Sequence, residues 1–257
     1  MADPVMIGIA GALGRMGQAL ADAAAARRDM VIAGRFDRPD LDAPGLAKRD
    51  VALAACEVVV DFTMPAASAE LAAIAAARGA PALVIGATGA GPEQEAAYAE
   101  AARRIPIVYS RNYSLGVNLL MGLVEQAARA LSAGDYDIEV VEAHHRRKID
   151  APSGTALMLG EAAARGRGVQ LSNVAQRGRD GITGARRIGD IGFAVVRGGG
   201  VFGEHEVLFA AEDEVLSLSH SALNRGLFAR GALEAARWVK GKPPGLYDMQ
   251  DVLGLKR

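Results

Sequence analysis

The sequence predicts an α/β protein in two parts: a parallel sheet covered by helices on both faces, then a second, α+β part built on a mixed sheet. Three observations carry this. Short β-branched runs alternate with alanine-rich helical stretches as far as Ser110. Glycines recur at every third position from Gly8 to Gly17, and the style of the chain changes after Asn112. Fully apolar strands that alternate with helices belong to a sheet buried on both faces.

Taken in order, VMIGIAG is the first strand, RMGQALADAAAARR the first helix and MVIAGRF the second strand. EVVVDF, PALVIGATG and IPIVYS are further strands, separated by the helical stretches PAASAELAAIAAARG and PEQEAAYAEAARR. Each strand runs into Gly, Asp, Thr or Ser, and ligands of such sheets sit beyond the carboxyl ends of the strands. LGVNLLMGLVEQAARAL has the apolar period of an amphipathic helix, and DYDIEVVEAHH alternates like a strand with one covered face. A Pro-Ser-Gly-Thr turn then opens the helix ALMLGEAAAR. GFAVVRGG, HEVLFAAE and EVLSLSH are shorter strands with glycine-rich or acidic turns between them, which predicts a mixed or antiparallel sheet. The final helix, RGLFARGALEAARWVKG, is expected to pack back on the first part. The resulting domains are residues 1–113 with 224–257, and residues 114–223.

With 257 residues and 51% hydrophobic content, the chain can bury a sizeable core. A net charge of −1 gives no reason to expect nucleic acid or an anionic membrane as partner. The single cysteine, Cys56, excludes an internal disulfide and precedes a core strand, where it reads as a buried, inert thiol. No apolar stretch reaches the roughly 18 residues of a membrane span. The start, MADPVMIGIAG, lacks the basic region of a secretory signal. The expected location is the cytoplasm.

Gly8, Gly11, Gly14 and Gly17 span the first strand–helix junction. Glycines there permit a tight turn and close approach to a pyrophosphate, which rests on the helix start. This is a variant of the dinucleotide fingerprint, with Leu13 in place of a glycine, and a tight turn without a ligand remains the alternative. Asp37 ends the second strand 23 positions after Gly14, near the roughly 20-residue offset at which an acid meets ribose hydroxyls. Its carboxylate favours the plain ribose of NADH, whereas the guanidiniums of Arg35 and Arg38 suit the extra phosphate of NADPH. Binding of both is predicted.

His144, His145, Arg146, Arg147 and Lys148 form a run of imidazoles and cations joined to the PSGT helix start. Such starts present unpaired N–H groups and a positive dipole end. The combination suits a small, doubly anionic substrate that receives a proton. A solvated basic edge is the competing reading. A zinc site, with His144 and His145 joined by His205 or His220, is the third. Adjacent histidines on a strand point to opposite faces, which counts against metal.

With these motifs in place, the chain closely resembles the 4-hydroxy-tetrahydrodipicolinate reductases, formerly called dihydrodipicolinate reductases, of bacterial lysine and diaminopimelate synthesis. The resemblance runs through GIAGALGRMG, VVVDFT, LVIGATG, NYSLGVN, EAHHRRKIDAPSGTA, IGFAVVRGGGVFGEH and GLYDMQDVLGL. It implies a Rossmann-like dinucleotide-binding domain with a substrate and oligomerisation domain, assembled as a homotetramer. It implies that Gly11, Ala12, Leu13, Gly14, Arg15 and Met16 cradle the pyrophosphate of NADH or NADPH, with Asp37 and Arg38 at the adenosine ribose. Gly86, Ala87 and Thr88, with Ser110, Arg111, Asn112 and Tyr113, would line the nicotinamide side. His144 matches the proton donor or acceptor and Lys148 a second proton donor. His145, Gly154 and Thr155 match the positions that bind the dicarboxylate substrate. Two rivals stand beside this reading. Another two-domain nicotinamide enzyme, such as one acting on a semialdehyde, would need a nucleophilic cysteine in a catalytic loop. A nucleotide-sensing regulator would need a basic DNA-reading helix.

Overall fold

The computed structural model describes residues 3–256. The chain divides into two compact units, Met1–Leu115 with Arg225–Arg257, and Gly116–Asn224. In the first unit the strands are β1 (Val5–Ala10), β2 (Met30–Phe36), β3 (Val58–Asp61), β4 (Ala82–Ile85) and β5 (Pro106–Tyr109). Between them lie α1 (Arg15–Ala25), α2 (Arg49–Ala55), α3 (Pro65–Arg78) and α4 (Pro92–Ala101).

Period-2 alternation of apolar residues explains the layering. Val58 and Val60 of β3 enter one core with Ile7, Ile9 and Val84, while Val59 enters the other with Leu83 and Ile85. Each strand therefore feeds both faces, and both must be covered. Leu71 and Ala75 of α3 and Tyr98 of α4 cover one face; Leu20 of α1 covers the other.

The chain later returns to this unit with α8 (Gly226–Val239), β11 (Gly245–Tyr247) and α9 (Met249–Val252). Ala229, Ala232, Leu233 and Ala236 of α8 are buried in the core beside Ile7 and Val60. The sheet order is β11-β5-β4-β3-β1-β2 with every pairing parallel, a Rossmann-like arrangement.

The second unit holds α5 (Leu115–Ala130), β6 (Asp137–His144), α6 (Gly154–Gly166), α7 (Leu171–Val174), β7 (Ala175–Gln176), β8 (Ile191–Arg197), β9 (Glu204–Ala210) and β10 (Val215–Ser221). Its sheet runs β10-β9-β6-β8-β7, antiparallel on the β9 side and parallel on the β8 side. The sheet is thus mixed. Ile138 and Val140 of β6, Phe193 of β8 and Val207 and Phe209 of β9 pack with Leu120 and Val124 of α5 and Leu159 and Ala163 of α6. Burial alternates along β6, so the sheet has one helix-covered face. Among the described residues, no helix is long and apolar enough to cross a membrane.

Candidate active site

In the first unit, β1 delivers the glycine turn to the start of α1. Gly11 has φ of +66°, a conformation that side chains disfavour, and a Cβ there would lie 2.8 Å from Cγ2 of Thr63. Gly17 is tighter still: its Cβ would meet the Gly11 carbonyl oxygen at 2.3 Å. The helix thereby packs directly against the turn. Gly14 caps α1 without any side chain, so the helix start stays open to an anion. The cradle fits a pyrophosphate.

Asp37 reaches back from the end of β2. Its Oδ2 accepts the Leu13 N–H at 2.9 Å and its Oδ1 the Arg38 N–H at 2.9 Å. A carboxylate oxygen has a second lone pair, so ribose hydroxyls remain accommodated. Arg15 and Arg38 are exposed, and Arg35 is half-buried on β2. Ala12 is buried under the turn while Leu13 is exposed and Met16 half-buried.

At the ends of β4 and β5, Gly86 and Ala87 are buried and Thr88 is exposed. A Cβ on Gly86 would strike the Phe62 ring at 2.3 Å. Ser110 and Asn112 form a closed turn: the Ser110 hydroxyl donates to the Asn112 carbonyl at 2.7 Å, and Asn112 Oδ1 accepts the Ser114 N–H at 2.8 Å. Arg111 is exposed at its tip. Tyr113 is 1% exposed, with its hydroxyl 2.9 Å from the carbonyl oxygens of both Ile85 and Val108. It shapes the strand ends from beneath.

Asp61 was not singled out by the sequence reading. It lies fully buried at the end of β3, and its Oδ1 accepts the Thr63 N–H at 2.8 Å and the Thr63 hydroxyl at 2.6 Å. Burial pushes its carboxyl above the ordinary range, against those hydrogen bonds. This turn holds Thr63 against Gly11.

In the second unit, the end of β6 builds a polar extension of the core face. Glu142 and His144 follow Ile138 and Val140 on that face by strand alternation. Register places His205 of β9 opposite Glu142, and Arg197 of β8 opposite His144. His144 Nδ1 lies 2.5 Å from Glu142 Oε2. Arg197 clamps the same carboxylate with two bonds of 2.7 Å. The Ser153 N–H adds a bond of 3.0 Å to Oε1.

Ser153 caps α6, accepting the Ala156 N–H through its hydroxyl at 3.1 Å. The same hydroxyl lies 2.9 Å from His205 Nε2. Gly154 and Thr155 form the first turn, and a Cβ on Gly154 would meet nothing within 4 Å. Lys148 sits in the turn between β6 and α6, its N–H bonded to the His145 carbonyl at 3.1 Å and its ammonium 2.9 Å from Asp150. The ring of His145 is half-buried.

Burial works against the charge of Glu142, but the bonds from Arg197, His144 and Ser153 outweigh it and hold the carboxyl below its usual range. Burial lowers the pKa of His144, Glu142 opposes that, and Lys148 and Arg197 add to the lowering. Burial, with the neighbouring His144, takes His205 down to about 4. Both imidazoles are therefore neutral near pH 7. Their rings stand edge to face, with centroids 5.0 Å apart. Among the described residues, no cluster of three or more His, Cys, Asp or Glu side chains is placed to hold a metal ion.

Glu142 and Arg197 were given no role from the sequence, and His205 entered there only as an alternative metal ligand. An acid two positions before His144 on an alternating strand was a usable signal for the first. Nothing local pointed to Arg197, 55 positions away along the chain. Cys56 is buried, and burial raises its thiol to about 11. It is not an activated nucleophile.

Comparison with known proteins agrees with this architecture. A dihydrodipicolinate reductase from Paenisporosarcina sp. TG-14, solved with dipicolinate bound, superposes with a TM-score of 0.79 at 23% identity, covering 96% of this chain and 98% of that one. The protein named 4-hydroxy-tetrahydrodipicolinate reductase from Caulobacter vibrioides is 66% identical over the whole of both chains. That from Dinoroseobacter shibae is 52% identical over 99% of this chain and 100% of its own. Residues 5–113 match the family described as Dihydrodipicolinate reductase, N-terminus, and residues 116–253 its C-terminus. Glycine cradle, histidine–lysine turn and full-length relatives together place this chain in the dihydrodipicolinate reductase family.

Proposed function

We propose that the protein reduces 4-hydroxy-tetrahydrodipicolinate to tetrahydrodipicolinate with NADH or NADPH, using His144 and Lys148 to handle the proton. Gly11 to Met16, Asp37 and Arg38 would hold the cofactor, which would supply a hydride to the unsaturated ring left after loss of water. The nicotinamide side is assigned to Gly86, Ala87, Thr88 and Ser110 to Tyr113. The observation that carries the reading is the convergence at the end of β6: an imidazole held by a buried carboxylate, a lysine turn, and the open start of α6.

Substrate carboxylates fit the first turn of α6, formed by Gly154 and Thr155, where a side chain at 154 would meet open space and the helix dipole favours negative charge. His145 and Lys148 complete that anion site. A bound dianion raises the pKa of the neutral His144, so the ring takes up a proton as substrate arrives. It then donates that proton to the electron density that hydride addition creates.

We further infer a cytoplasmic homotetramer formed through the second unit. The sheet face turned away from the helices carries Val141, Ala194, Val196, Leu208 and Val215, with Val196 53% and Val215 60% exposed. Sedimentation would test the assembly. The activity is tested by following cofactor absorbance with substrate freshly made from pyruvate and aspartate semialdehyde. Oxidation of either cofactor that requires this substrate is expected, and its absence overturns the reading.

A further inference from the structure

Glu142 is a buried charge held from several sides. It is 1% exposed and accepts four hydrogen bonds: two from Arg197, one from the Ser153 N–H and one from His144. An ionised carboxylate has only lone pairs to offer, so the bridging hydrogen belongs to His144 Nδ1. The other nitrogen, Nε2, then carries the lone pair. A Cβ at position 203 would lie 3.1 Å from Nε2, and glycine there leaves that edge of the ring uncovered.

We propose that Glu142, clamped by Arg197, is a positioning residue that fixes the tautomer of His144 and ties it to the carboxylate-binding start of α6. The proposal rests on the reading of His144 given above. One buried side chain sets both places, because Oε2 orients the imidazole while Oε1 holds the Ser153 amide where the helix begins. Arg197 has a separate task. Its guanidinium keeps the carboxylate from taking the proton itself, and it anchors the loop by donating to the Asp150 carbonyl at 2.7 Å. During the transfer the Nε2–H bond breaks and the proton passes to the reduced ring of the substrate. The Nδ1–H bond stays with Glu142 throughout, so the ring returns to its starting tautomer.

Four charged or titratable groups face the ring: Glu142 on its own strand, Lys148 from the next turn, Arg197 from β8 and His205 from β9. Only Glu142 favours the imidazolium among the three that shift it. Removing that charge must therefore lower the pKa of His144; a merely structural ion pair would show the same shift and a lower melting temperature but would leave kcat unchanged.

The test compares E142Q, E142D and H144A in the full-length protein, by turnover, by thermal melting and by NMR titration of labelled histidine rings. E142Q is expected to lose about 100-fold in kcat, within the range that a placed proton donor contributes. Its KM should change far less, the His144 titration should move to lower pH, and E142D should recover part of both. A His144 ring that titrates alike in wild type and E142Q overturns the positioning role, whatever the activity. Wild-type kcat in a folded E142Q, with H144A inactive, also overturns it. Full turnover by H144A overturns instead the assignment of His144, while the ring titration still reports on the contact itself.

Discussion

Asp37 and Leu13 are joined by a hydrogen bond of 2.9 Å from the Leu13 N–H to the carboxylate, so the end of β2 holds the glycine turn of β1 in place. The acid thus has a structural task in addition to any contact with a ribose.

That double duty makes Asp37→Ala informative. KM for NADH is expected to rise about tenfold, equivalent to about 1.4 kcal/mol, and KM for NADPH less, because Arg35 and Arg38 remain for its phosphate. The wild-type protein should use both, with affinities within about a thousandfold. Steady-state kinetics with each cofactor checks this.

His144→Ala should lower kcat by about 100-fold to 1,000-fold while KM for the substrate stays within about threefold, since the proton matters mainly in the transition state. Unaltered turnover would remove His144 from the chemistry.

His205 makes stability depend on pH. Its folded pKa, about 4, lies below the ordinary 6.5, so the unfolded chain takes up a proton that the folded one refuses. Its stabilising contribution is complete above about pH 6.5 and is lost as pH falls towards about 4, on the order of 2 kcal/mol. His144 and His220 are lowered too and act in the same direction. Melting curves between pH 7 and 5 should show a fall that shrinks in His205→Gln. Glu142, with a lowered pKa, loses its contribution only below the ordinary carboxyl range and does not confuse that window.

Two glycines should behave oppositely. A Cβ on Gly231 would lie 1.7 Å from the Tyr113 carbonyl oxygen, so Gly231→Ala should cost about 3 kcal/mol or prevent folding. Gly154→Ala meets open space and should melt like wild type. If substrate seats on that turn, its KM should nonetheless rise several-fold. Denaturant unfolding and kinetics separate the two.

Thiol reagents should leave activity intact, because Cys56 is buried with a raised pKa. Rapid stoichiometric inactivation by an alkylating agent would contradict this.

Much of the fold was legible because long apolar runs and alanine-rich helices announce themselves. The runs around Ile7, Val59, Val84 and Val108 became the parallel strands expected, and β8, β9 and β10 joined a mixed sheet. What escaped was short. β11 is three residues, Gly245–Tyr247, and owes its strand form to pairing with β5 rather than to its own pattern. α2 spans seven residues, Arg49–Ala55, too few turns for a clear period. In the site, the His144 segment was visible as a motif, but its partners Arg197 and His205 came from β8 and β9. Strand register alone brings them beside Glu142, and register is a tertiary property.

The interrupted course of the first unit bears on how the molecule is made. α8 supplies Ala229, Leu233 and Ala236 to a core whose other members were all synthesised before residue 116 or just after α8 itself. As the chain leaves the ribosome, that flank of the sheet stays bare until more than a hundred further residues have emerged. Until α8 arrives, the apolar side chains of β1, β3 and β4 on that flank have nothing of the C-terminal segment to pack against.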